Sequence, residues 1–137
     1  MADAPPPKPL PAPDEPGLEV FWQATLEGKL MLKRCTGCGA TMLPYRDVCD
    51  VCLGTELEWI ESSGKGAVAT WGVMHQKYHP GWAAEIPYNI AMVDLEEGPR
   101  IPTNLVGVES SDIQVGLPVV VDWERHDDLA LPKFRPA

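Results

Sequence analysis

Four cysteines carry the chemistry open to this sequence: Cys35-x-x-Cys38, ten intervening residues, then Cys49-x-x-Cys52. No other cysteine occurs in the chain. Two thiolates at this spacing converge because the turn between them folds back, and two such turns supply four soft ligands for one tetrahedral ion. Gly39 follows Cys38, and Leu53-Gly54 follows Cys52; glycine tolerates the positive φ that such turns need. The spacing predicts a closed site in which Cys35, Cys38, Cys49 and Cys52 hold one structural Zn2+. The gap is shorter than the ~15 to 20 residues of the usual ribbon spacing, which leaves iron or a compact variant open. Two disulfides and a thiol-redox pair are the competing readings. No charged, apolar, then small leader is seen, so the expectation is a cytoplasmic protein with reduced thiols, and redox pairs normally come singly beside a βαβ pattern.

The rest of the sequence offers little reactive chemistry. There is no GxSxG elbow, no HExxH pair and no glycine-rich phosphate loop. A zinc ion saturated by four thiolates has no open position from which to polarise a carbonyl or activate water. Catalysis by the chain alone is therefore not expected. The formal charge of −9 opposes nucleic-acid binding, which rests on a basic surface. The apolar runs are too short to span a bilayer.

The cations are unevenly placed. Lys29, Lys33, Arg34 and Arg46 fall between Glu27 and Asp47 with no acid among them. Two readings stand: they offset the net negative charge of a thiolate–metal centre, or they anchor phosphates or an acidic partner surface.

The elements that position these residues follow from pattern and punctuation. Residues 1–16 contain seven prolines and read as an extended, mobile arm, with a docking peptide as the alternative. Leu18, Phe21, Trp22, Thr25 and Leu26 recur at helical spacing, and Gly28 stops the pattern, giving an amphipathic helix over 17–28. So short a helix must bury its apolar face against its own barrel or a partner, making Leu18, Phe21, Trp22 and Leu26 candidate interface residues. Short strands at Leu30–Leu32, Thr41–Leu43 and Leu57–Ile60 enclose the cysteine turns in the order of a zinc ribbon, over 29–61. Strand-like segments at Ala67–Met74, Tyr88–Leu95, Ile101–Val108 and Val119–Trp123 suit a small barrel of OB architecture over 62–137, with a C-terminal tail. A loop from His75 to Pro87 carries Tyr78 and Trp82, read as covering a barrel end or binding a ligand. His75 and His79 are a weak second metal pair.

From Phe21-Trp22 to Lys133-Phe134-Arg135-Pro136 the chain resembles the domain-of-unknown-function thirty-five family. The matching residues include Leu26 with Gly28, Arg34-Cys35-x-x-Cys38-Gly39, Pro44, Arg46, Cys49-x-x-Cys52, Trp59, Gly64-x-Gly66, Pro87-Tyr88 and Gly116. Asp50 stands where a proline is common. The resemblance implies a mostly β protein: an N-terminal helix, a rubredoxin-like zinc ribbon and an OB barrel. It also implies an accessory subunit without chemistry of its own, joined to a separate thiolase-superfamily enzyme (thiolase, ketoacyl synthase or lipid-transfer-like aldolase of steroid side-chain breakdown), as a heterotetramer sharing acyl-CoA. Lys29, Lys33, Arg34 and Arg46 are then candidate coenzyme A contacts. Two other classes remain: a single-stranded nucleic-acid binder stacking bases on Trp71, Tyr78 and Trp82, and a rubredoxin-like iron electron carrier.

Overall fold

A computed structural model describes residue 4 and residues 6–137; residues 1–3 and 5 of the proline-rich arm lie outside the described residues. The chain runs through helix α1 (Glu19–Leu26) and strands β1 (Met31–Cys35), β2 (Thr41–Met42) and β3 (Leu57–Glu61). Strands β4 (Lys65–Met74), β5 (Tyr88–Leu95), β6 (Arg100–Thr103), β7 (Pro118–Arg125) and β8 (Ala130–Pro136) follow.

The α1 helix is short because Gly28, at φ +74, turns the chain where no L-residue sits comfortably. It buries Phe21, Trp22 and Thr25. Strand β1 is central in a three-stranded antiparallel sheet, between β2 and β3. The other five strands form a sheet in the order β6-β5-β4-β7-β8. Leu105 pairs with Phe134 in a parallel bridge, bringing the β6 and β8 edges together. A first strand flanked by the second and fourth, with the third and fifth meeting in parallel, is the OB topology. The protein is mostly β, with the helix, ribbon and curled OB sheet that the pattern implies.

One apolar core runs through these parts. Phe21, Trp22, Leu30 and Leu32 belong to the same buried cluster as Val68, Val93, Val119, Leu129 and Phe134. Each such side chain contributes about 1.5 to 3 kcal/mol on burial, so the helix and the base of the ribbon are held by the barrel. A separate small cluster, Cys35, Met42 and Cys49, lies at the far end of the ribbon.

Three expectations change. The strand expected at Ile101–Val108 ends at Thr103, because side chains replace the ladder beyond it: Asn89 Nδ2 donates to Leu105 O, and the Leu105 N–H donates to Asn89 Oδ1. The expected C-terminal tail is strand β8, whose Phe134 is fully buried. The proline-rich segment lies against the barrel: Lys8 pairs with Glu85 and Glu124, and its ammonium lies 5.0 Å from the Trp82 ring centroid.

Candidate metal centre and the groove beside it

Cys35 ends β1, and the first turn returns through Cys38 into β2; the second turn, Cys49 to Cys52, precedes β3. Both turns close in the same way, with Gly39 N–H donating to Cys35 O at 2.8 Å and Leu53 N–H to Cys49 O at 3.0 Å. The four Sγ atoms all lie within 4.8 Å of one another, with Cys35–Cys52 and Cys38–Cys49 at 3.5 Å. Zn–S bonds of about 2.3 Å at tetrahedral angles imply S···S edges of about 3.8 Å, so the donor set fits. No other such cluster of metal-ligating side chains occurs among the described residues. His79 instead accepts a hydrogen bond from the Gly81 N–H.

The thiols are electrostatically unequal. N–H donors from Cys52 and then Val51 draw the Cys49 thiol down to about 7. At Cys38 the Ala40 N–H acts in the same direction, but the neighbouring thiols, Cys49 first, push it up to about 12. Four sulfurs this close do not all ionise without a cation among them. A metal in this site replaces protons and, with all positions filled by sulfur, acts as a strut.

The second turn corrects the sequence reading of its glycine. Leu53, not Gly54, takes the left-handed backbone, at φ +63, a conformation costing an L-residue about 1 kcal/mol or more. Space at Gly54 is tight: a Cβ there would lie 3.2 Å from Cys52 Sγ.

The four cations do not form an unpaired patch. Acids come to them from across the sheet, from the second turn and from the adjoining residues Glu27 and Asp47. Arg34 forks onto Glu58, its register partner on β3, at 2.9 and 2.6 Å. Lys33 is buried, donates to Arg46 O at 3.0 Å, lies 5.0 Å from the Trp59 ring centroid and faces Asp47 at 3.7 Å. Arg46 pairs with Asp50, and Lys29 with Glu27.

The candidate interface residues also divide. Phe21 and Trp22 are turned into the core, while Leu26 and Val20 are the exposed apolar residues of α1. Beside the helix, Phe21, Trp22, Leu30, Leu43, Ile101 and Leu131 line an apolar groove of about 470 Å3. Its polar lining includes Asn104 and Lys133. Lys133 Nζ donates to Asn104 Oδ1, and burial lowers the ammonium's pKa against the pull of Glu124. Nothing in the spacing of Lys133 points to the groove; its signal in the sequence is the closing Lys133-Phe134-Arg135-Pro136 match. Trp22 Nε1 is buried without a partner. Of the proposed stacking aromatics, Trp71 packs on the core, Trp82 lies 5.7 Å from Tyr88, and Tyr78 is exposed.

Two family models match the chain consecutively: "ChsH2, rubredoxin-like zinc ribbon domain" over residues 22–58 and "ChsH2, C-terminal OB-fold domain" over 59–124. A solved structure described as the Ltp2-ChsH2(DUF35) aldolase contains a similar chain, 36% identical, with a TM-score of 0.78 over 89% of this chain and 95% of that one. The protein belongs to the DUF35 family. The match sets this DUF35 chain beside a component of a larger enzyme complex. Its curated relatives include the "Probable enoyl-CoA hydratase alpha subunit" of Thermomonospora curvata, 40% identical over 85% of this chain. They also include the 3-oxo-4,17-pregnadiene-20-carboxyl-CoA hydratase alpha subunit of Mycobacterium tuberculosis, 32% identical over 58% of this chain. The DUF35 chain spans only 37% and 25% of these two subunits. No helix among its described residues is long and apolar enough to cross a membrane.

Proposed function

We propose that this DUF35 protein is a non-catalytic, zinc-holding accessory subunit that docks on a separate thiolase-superfamily enzyme, a thiolase or lipid-transfer-like retro-aldolase, and helps form its acyl-CoA site. The observation that carries this reading is the correspondence with a chain of the Ltp2-ChsH2(DUF35) aldolase over 95% of that chain. Relatives named as subunits of CoA-ester hydratases, one acting on a steroid-derived ester, support acyl-CoA as the ligand class and steroid side-chain breakdown as the setting.

Within this reading the metal contributes rigidity. Zn2+ bound by Cys35, Cys38, Cys49 and Cys52 has no position left for substrate. The apolar groove has the volume of a small-molecule site, about 300 to 1,000 Å3 in general, and its lining suits an acyl group. Lys133 can donate a hydrogen bond to a carbonyl or anionic oxygen there. Lys29 is exposed and Arg46 half-buried, and surface ion pairs are worth about 0 to 1 kcal/mol; phosphates of coenzyme A compete readily for them.

Co-expression with a thiolase-superfamily subunit of the same genome tests the reading. The expected result is a stable heterotetramer by light scattering, one colourless zinc per chain by elemental analysis, and cleavage of an acyl-CoA by the complex alone. Separate elution at micromolar concentration, or turnover by the isolated chain, overturns it.

A further inference from the structure

The second cysteine turn presents aliphatic side chains to solvent. Leu53 and Val51 are 75% and 71% exposed, with Val48 and Tyr45 also exposed. Exposed apolar residues scattered singly need no explanation, but a concentration on one rigid element does. Leu53 stands where the first turn has Gly39, with the same N–H to cysteine carbonyl bond and the same left-handed backbone. Glycine satisfies that conformation without strain; leucine does not. A strained backbone that holds a large apolar side chain out in water gains nothing for the fold of the turn.

We propose that Leu53, with Val51 and Val48, is a docking knob held out by the metal centre, and that it seats in an apolar pocket rimmed by lysine or arginine on the enzyme subunit. The charge of the rim follows from the surroundings. Asp47 and Asp50 flank the knob, Glu56 lies just beyond it, and all three are exposed. Against them stand Arg46, paired with Asp50, and the buried Lys33, 3.7 Å from Asp47, which leaves the surroundings of the knob net negative. With a chain charge of −9, a basic rim is attracted and an anionic membrane surface repelled. The knob rests on the accessory-subunit reading and supplies the contact which that reading leaves open.

Leu53→Gly separates the knob from a structural role, because it relieves strain while removing the side chain. In titrations of the co-expressed enzyme subunit, the variant should bind at least tenfold more weakly, while keeping one metal per chain and a melting temperature no lower than the parent's. Val51→Asp should weaken binding similarly, and Asp47→Asn should lower the association rate and its dependence on salt. A Leu53→Gly complex within twofold of the parent, or one lost together with metal, overturns the knob alone. Failure of the parent chain to bind overturns the subunit reading and the knob with it. Binding of the parent to phosphatidylglycerol vesicles instead assigns the turn to a lipid surface and overturns the proposal.

Discussion

The hydroxyl of Thr25 accepts a hydrogen bond from the Ala130 backbone N–H at 3.0 Å and donates one to the Trp22 carbonyl at 2.6 Å, joining α1 to the first residue of β8 across 105 positions of sequence. Both groups are completely buried. The pair couples the N-terminal helix to the last barrel strand, and thereby fixes the wall of the groove.

Thr25→Val keeps the shape of the side chain but strands the Ala130 N–H, whose unmet hydrogen bond costs about 1 to 3 kcal/mol. Urea unfolding should show a loss of that size, with Thr25→Ser recovering most of it. An unchanged midpoint for the valine variant would mean that the helix is not held there.

Gly66 marks a second close approach. A Cβ at this β4 residue would lie 2.5 Å from Asp94 O and 2.7 Å from Val93 Cγ1, and the backbone on the paired strand β5 cannot yield as a flexible side chain can. Gly66→Ala should destabilise the barrel by about 1 to 3 kcal/mol, the usual cost of overpacking. Gly98→Ala meets nothing within 4 Å and isolates the effect of positive φ alone. Thermal melts of the two variants should therefore separate, with Gly66→Ala the lower.

What could be read from the sequence was what chain neighbours decide. The ligands Cys35, Cys38, Cys49 and Cys52 were legible because a two-residue turn brings its flanking thiols together whatever the rest of the fold does. The pairing of Arg34 with Glu58 was not, since it depends on β1–β3 register. Strand β8 was hidden because Pro132, Lys133, Arg135 and Pro136 break the alternation around Phe134, whose burial comes from the barrel as a whole. Leu53 was hidden by a stronger prior: glycine is expected at positive φ, and the adjacent Gly54 met the expectation one residue too late. The strand-and-turn pattern already suited an OB barrel; the family resemblance supplied the accessory role beside an enzyme partner, which no local pattern in these residues encodes.

Glu97 gives a pH-dependent test of the joint between ribbon and barrel. Its carboxylate accepts bonds from the Ser62 hydroxyl and the Ser63 N–H, each at 2.8 Å, just beyond β3. Burial opposes ionisation, but these donors outweigh it and hold the carboxyl below its usual value. A depressed carboxyl contributes stability above its unfolded pKa, about 4.3 for a free glutamate, and loses that contribution as the pH falls through the folded value. The difference in stability between the parent and Glu97→Gln should thus be constant near neutrality and shrink below about pH 4.3. Metal release in acid affects both proteins and cancels in the comparison. A difference that grows on acidification would contradict the assignment.

Metal removal should dismantle one part of the molecule and spare the other. Around the cysteines the buried apolar cluster is only Cys35, Met42 and Cys49, with Ala40 and Leu57 against it, too little to order two turns without a central ion. At the opposite end of β1, Leu32 lies within the barrel core and needs no metal to stay buried. Chelation at neutral pH should therefore abolish hydrogen-exchange protection of the Gly39 and Leu53 amides, whose bonds close the turns, while the β4–β5 ladder keeps its own. Reloading should release protons, because Cys38, pushed up to about 12 by its neighbours, is protonated until a cation displaces the proton. Affinity for Zn2+ should accordingly fall steeply as the pH is lowered. Cys35→Ser should reproduce the chelated protein, since the loss of one thiolate opens the tetrahedron. Simultaneous loss of protection in β4–β5 would show instead that the barrel depends on the ribbon for its own stability.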